Sequence, residues 1–296
     1  MVGKNIMENI YFTTFYTEGE PTDKGYDLKQ TAIQIKERLA PFFTDTFFFN
    51  KTKLKEINGS QDICNEYDEA LDMNPNANNI GYFDFKPFII DYVLSIIPEN
   101  SILVYHDANF EKNAQYWESD WDNIKQFANK LLADNSSDLF VQIERDGVFV
   151  KEYVKTYTID KLIPNPIEND IVKNCKLINA ARIILKNTEF SRNFIKEYLN
   201  LCKDKTLLAK TPNPNPDPAF KWSCGDQDVL NCLVYKYILD GKLKPQFPIY
   251  SFMYRILRFE NRPFNWPGQS WNPHPTGASI LLNNKLIDHI NKKFTK

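Results

Sequence analysis

The chain has 296 residues, 43% of them hydrophobic, with a formal net charge of -2 and a pI near 6.0. That length can bury a substantial core in one large domain, and so even a charge balance removes the electrostatic case for nucleic acid, whose binders carry basic patches. No run reaches the roughly 18 apolar residues of a membrane span, and Met1 to Asn5 lack the apolar core of a signal peptide, so a cytoplasmic protein with at most peripheral membrane contact is expected. Five cysteines form no Cys-x-x-Cys pair and suggest neither zinc nor a disulfide frame.

Asn9 to Tyr16 reads as a first strand, Gln30 to Leu39 as a helix and Asp45 to Phe49 as a second strand. Thr13, Thr14 and Tyr16, at the carboxyl end of the first strand, are candidates to meet a nucleobase and ribose, or are strand residues chosen for β-propensity. In Phe88 to Ile97 the residues Ile90, Val93, Leu94 and Ile97 fall at the spacing of a buried helical face. Pro87 suits the first helical position, and Pro98 stops the helix. Lys86 is either a point charge for a pyrophosphate or a solvated lysine at the helix entry. An apolar strand from Ile102 then ends in His106-Asp107-Ala108-Asn109. A carboxylate and an amide oxygen delivered there make a place for a hard divalent cation, although both residue types also build turns. By strand alternation His106 faces away from Asp107 and reads as structural.

Asp138 to Ile143 and Val148 to Val154 read as strands of a hairpin around Asp146-Gly147. Thr211 to Pro218 carries proline at every second position and is expected to be an exposed loop. Val229 to Leu239 reads as an apolar helix. Asp226 and Asp228 before it suit a base or positioning group for a hydroxyl, and equally a helix cap. Trp266 to Pro275 has the turn chemistry of an irregular loop and contains His274. Ile280 to Phe294 reads as an amphipathic basic helix, packed on the domain by default, with a membrane surface or a partner as the alternative. Strands alternating with helices imply an α/β fold around parallel strands, with ligands beyond their carboxyl ends. The absence of a glycine-rich turn after the first strand argues against a methyltransferase-like nucleotide site.

The pattern Gly81-Tyr82-x-x-x-Lys86-Pro87, apolar helix, apolar strand, Tyr105-x-Asp107-Ala108 resembles a family of GT-A-type glycosyltransferases. Phe220 to Gln227 is similar to that family's Phe-x-x-His-Arg-x-Asp-Gln segment. Asn179 to Thr188, followed by a helix through Phe194, Tyr198 and Leu199, resembles its central portion. The likeness runs in order over about residues 8 to 240. It departs at Ser223 and Cys224, which stand where the family has His-Arg, and at Asn109, which stands where a glycine or second acid is usual.

The resemblance implies a single GT-A-like domain over residues 1–296, a Rossmann-type mixed sheet flanked by helices. Its nucleotide-binding part would span about 8–110, its acceptor-side part about 111–265, and a C-terminal loop and helix 266–296. Asp107 of the DxD-like motif would bind Mn²⁺ or Mg²⁺ with Asn109 and His274. Thr13, Thr14, Tyr16, Lys86, Asp107 and Gln227 would contact a nucleotide-diphosphate-sugar, a UDP- or GDP-sugar. Asp226 is the favoured acceptor base, with Asp228 as its rival. The implied activity is transfer of that sugar to a glycan or other hydroxyl acceptor. The alternative is a non-catalytic glycan- or nucleotide-binding relative.

Overall fold

The computed structural model describes residues 9–16, 28–39, 43–65, 84–108, 137–143, 147–208, 213–223, 225–245, 249–250, 255–260 and 283–294. In chain order the elements are β1 (Ile10–Phe15), α1 (Leu28–Leu39), β2 (Asp45–Phe49), α2 (Lys51–Leu54), α3 (Phe85–Ile96), β3 (Ile102–His106), β4 (Ser137–Ile143), α4 (Val150–Tyr153) and α5 (Thr156–Leu162). They continue with α6 (Pro166–Lys173), β5 (Ile178–Lys186), α7 (Glu189–Cys202), α8 (Lys205–Leu208), α9 (Asp226–Leu239), β6 (Lys244–Pro245), β7 (Ile249–Tyr250), β8 (Arg255–Glu260) and α10 (Asn284–Phe294). The fold is α/β with mixed strand pairing. The chain divides into two compact units, Met1–Asn135 with Ala181–Leu199, and Ser136–Ala180 with Asn200–Lys296.

In the first unit β1 lies between β2 and β3 and is parallel to both, while β3 pairs antiparallel with β5. Every residue of β1 is buried, as befits a parallel strand covered on both faces. Alternation puts Tyr11, Thr13 and Phe15 on one face and Ile10, Phe12 and Thr14 on the other. Helix α3 covers the first face. Phe85 stacks on Phe15 with ring centroids 4.0 Å apart, and Tyr92 meets Phe49 edge-on at 5.9 Å. Phe12 packs against Phe43 and Phe48. Ile89, Ile90 and Val93 of α3 have no solvent exposure, and burial of each stabilises the fold by about 1.5–3 kcal/mol.

Helix α3 begins earlier than the apolar spacing predicts. Asp84 stands at the N-cap, so Pro87 occupies the third helical position instead of the first. The first four amides of a helix lack intrahelical acceptors, which is why proline is tolerated there too. At the other end the buried Asn187 side-chain amide donates to the carbonyls of Leu94, Ile97 and Pro98 at 3.0, 3.0 and 3.1 Å. It thereby serves acceptors that the end of a helix would otherwise leave unmet. The order β2-β1-β3 means that the chain leaves β1 for one neighbour and returns past it to the other. The carboxyl ends of β1 and β3 therefore flank a topological switch point, where open α/β sheets bind ligands.

In the second unit β8 pairs antiparallel with β4, and β6 and β7 pair with its opposite ends. Helix α9 is buried over almost its whole length and is packed by α5, α6 and α8. Two of its side chains act as a surrogate strand for the start of β5. Gln227 Oε1 accepts the Ala180 amide at 3.1 Å, while Asn231 accepts the Ile178 amide and donates to the Ile178 carbonyl, both at 2.8 Å. Helix α10 buries Leu286, Ile287 and Ile290 and packs on α6, with Lys293 and His289 meeting Glu168 at 2.9 and 3.1 Å.

One expected strand is a helix. Val148 to Val154 does not pair with β4, whose antiparallel partner is β8, and Val150–Tyr153 forms the short helix α4. The Glu152 carboxylate accepts the Phe149 amide at 2.7 Å and so caps this turn from within. Phe149 makes only an isolated bridge to Lys176. Those local bonds supply the partners that a hairpin ladder would have given. The loop over residues 213–220 has neither helix nor strand, and Pro214, Asn215 and Pro216 are exposed, as alternating proline requires.

Candidate functional site

The carboxyl ends of β1 and β3 carry a compact polar group on the face covered by α3. Thr13 pairs in register with Tyr105, and Tyr105 and Asp107 share that face by alternation. The Tyr105 hydroxyl donates to Asp107 Oδ1 at 2.6 Å, and the Lys86 ammonium lies 3.3 Å from the same oxygen. Lys86 also sits 5.5 Å from the centre of the Tyr105 ring, within cation–π range. The pair is asymmetric, since Lys86 is 2% exposed and the Asp107 side chain 30%. The Asp107 amide donates to the Ala181 carbonyl at 2.8 Å, which fixes the turn after β3 to the neighbouring strand.

Thr13 and Thr14 are fully buried, and neither hydroxyl has a hydrogen-bond partner among the described residues. An unmet buried hydroxyl costs about 1–3 kcal/mol. Such costs are the exception in native cores and call for an explanation. Thr13 shares the face of Lys86 and Asp107, whereas Thr14 lies on the opposite one. Tyr16 stands just past β1. Its amide donates to the Phe49 carbonyl, and its hydroxyl accepts from Asn50 Nδ2 at 3.0 Å.

His106 occupies the face opposite Asp107, paired in register with the buried Arg182. Its Nδ1 lies 2.7 Å from the Asp107 carbonyl, which can only accept, so Nδ1 carries the proton. Burial first, and the Arg182 guanidinium second, hold the imidazole well below its ordinary pKa of 6.5. A base whose pKa falls on folding is protonated more readily in the unfolded chain. Its contribution to stability is therefore full above about pH 6.5 and declines as the pH falls below that, by at most ~1.4 kcal/mol per pH unit. Urea unfolding of wild type and His106→Gln between about pH 8 and pH 5 is expected to show a falling wild-type midpoint and a flatter variant. Parallel pH profiles for the two proteins would remove His106 as the cause.

Asp226, Gln227 and Asp228 belong to the second unit, at the start of α9. Gly225 precedes them with φ +68°, a backbone conformation that glycine adopts without strain. Asp228 is fully buried. Its Oδ2 accepts the Lys155 amide and the Ser223 hydroxyl, both at 2.9 Å, and Ser223 Oγ in turn accepts the Gly225 amide at 3.2 Å. Gln227 is committed to the Ala180 amide, and Asp226 is 2% exposed. Asn109 and His274 lie outside the described residues. From sequence, Tyr105 stood only within the family pattern, with no role of its own, and Asn231 was not singled out. Tyr105 was legible as the residue two before Asp107 on one strand face, and Asn231 as the residue four after Gln227 on one helix face.

Among the described residues, Asp107 offers a divalent cation at this edge a carboxylate. The Tyr105 and Lys86 contacts both fall on Oδ1, and among the described residues no hydrogen bond reaches Asp107 Oδ2. Mg²⁺ is commonly held by one or two carboxylates completed by phosphate oxygens and water, and Asp107 fits that mode of binding. No group of three or more His, Cys, Asp or Glu that could hold a metal occurs among the described residues. Nor, among them, is any helix long and apolar enough to cross a membrane. Comparison with models of protein families, with curated proteins and with solved structures finds no match.

Proposed function

We propose that the chain is a GT-A-like glycosyltransferase that takes a UDP- or GDP-sugar at the carboxyl ends of β1 and β3 and transfers the sugar to a hydroxyl acceptor. The observation that carries this reading is the Lys86–Asp107 pair at a topological switch point, beside the unsatisfied hydroxyl of Thr13. A diphosphate needs positive charge held in place before it arrives, and a buried ammonium supplies it without reorganisation. Lys86 binds the pyrophosphate, Asp107 orients Lys86, and Tyr105 fixes the Asp107 carboxylate. Thr13 gives its hydroxyl to the donor, with Thr14 and Tyr16 supporting the end of β1. A bound Mn²⁺ or Mg²⁺ shared between Asp107 and the diphosphate would stabilise negative charge on the leaving group. Assignment of Asp226 as acceptor base rests on the sequence resemblance.

A second reading, a nucleotide-binding relative without transferase activity, is favoured by Asp228, whose carboxylate already holds the Lys155 amide and the Ser223 hydroxyl. Calorimetric titration with UDP, GDP, CDP and their sugars, each with and without Mn²⁺, separates the readings. The transferase is expected to bind one nucleotide family in a Mn²⁺-dependent way, to lose that dependence in Asp107→Ala, and to hydrolyse the matching sugar nucleotide slowly. Binding without any hydrolysis supports the second reading. No nucleotide binding by folded protein excludes both.

A further inference from the structure

We infer that Trp222 and Tyr153, in the second unit, form a stacking platform for a neutral sugar ring. Trp222 is 57% exposed, yet it is held in place. Tyr153 meets it edge to face with centroids 5.6 Å apart, the Lys221 amide beside it donates to the Glu152 carbonyl at 2.8 Å, and Ser223 on its other side is buried. The indole plane is thus positioned before any ligand arrives, which lowers the entropic cost of binding. Among the described residues the indole N–H has no hydrogen-bond acceptor.

The rim decides what fits. Lys221 and Glu152 form an ion pair at 2.7 Å, and the Lys221 ammonium lies 5.3 Å from the centre of the Tyr153 ring. The plate is therefore bordered by a donor and an acceptor whose charges cancel, which disfavours an anionic ligand. A protein partner would need a contiguous apolar area of several hundred Å². Of the exposed large hydrophobic side chains among the described residues, Ile33, Ile96 and Ile167 sit instead on three different helices, and Trp222 lies in the irregular segment before α9. A pyranose presents a flat C–H face ringed by hydroxyls, and one fixed indole with a donor and an acceptor at its edge matches that chemistry. The platform is argued from the second unit alone and does not rest on the nucleotide-sugar reading.

Nuclear magnetic resonance of the indole N–H groups tests it directly, because the chain has five tryptophans and Trp222→Ala identifies the resonance of Trp222 by its loss. Cellohexaose, maltohexaose and chitohexaose are added in turn at millimolar concentration. At least one is expected to shift the Trp222 resonance saturably, with affinity retained in Trp222→Phe and weakened about tenfold in Trp222→Ala as read from the other shifted signals. Absence of any shift at Trp222 with all three sugars overturns the inference, as does equal sugar affinity in Trp222→Ala. Failure of nucleotide binding in the calorimetric titration leaves this expectation untouched, so the two proposals fail separately.

Discussion

Lys86→Met is expected to weaken binding of the nucleotide diphosphate by about 2–4 kcal/mol, roughly 30- to several-hundred-fold in Kd, while leaving the protein folded. The two halves of this expectation have different causes. Lys86 is 2% exposed, so its ammonium meets a phosphate in surroundings that screen the charge poorly. Methionine keeps the unbranched apolar stem and most of the volume, so the packing around it survives. The Asp107 side chain is 30% exposed and retains the Tyr105 hydroxyl, so loss of the ion pair should cost about 1 kcal/mol of stability or less. The reverse change is harsher on the fold, because Asp107→Ala takes an acceptor away from both the Tyr105 hydroxyl and the buried Lys86 ammonium. Calorimetry with the best nucleotide and urea unfolding, performed on the same preparations, check both halves. Unchanged affinity in a folded Lys86→Met protein would remove Lys86 from the site.

Asn231→Ala is expected to destabilise the protein by about 3 kcal/mol without touching the nucleotide site. Asn231 is fully buried and satisfies both the amide and the carbonyl of Ile178, while its side-chain amide also reaches the Gln227 carbonyl at 2.8 Å. Alanine removes those partners where water cannot replace them, so the penalty is desolvation of orphaned backbone groups more than lost packing. Asn231→Asp, which loses the two donor bonds and adds a charge with no solvent, should be worse. Urea unfolding gives the magnitude, and hydrogen exchange gives the location. The Ile178 amide is expected to lose protection before those of β1 or β3. A change under about 1 kcal/mol would mean that the start of β5 finds other partners.

Element by element, much of this fold was legible. The apolar runs of β1, β2 and β3 and the spacing of Ile90, Val93 and Leu94 in α3 are local signals, and the structure places these elements within a few residues of where the pattern puts them. The hairpin after β4 failed because alternation in Val148 to Val154 is ambiguous over so short a stretch. Its outcome turned on Glu152 reaching the Phe149 amide and on β8, more than a hundred residues away, taking the place beside β4. Pro87 told where α3 begins only to within a turn, because proline is tolerated throughout the first turn.

The sequence by itself determined the α/β class, the order β1, α1, β2, α3, β3, and the presence of a carboxylate at the end of a buried strand, because hydrophobic periodicity and chain order are local properties. Only the tertiary structure decided which polar residues act together. Strand order put Thr13 beside Tyr105, and packing of α3 brought Lys86 to Asp107. The burial of α9 tied Asp228 to Lys155, seventy-three residues before it, and set Asn231 against β5. Burial and pairing are properties of three-dimensional neighbours, and they, more than residue type, separate a carboxylate that can meet a ligand from one that holds a helix in place.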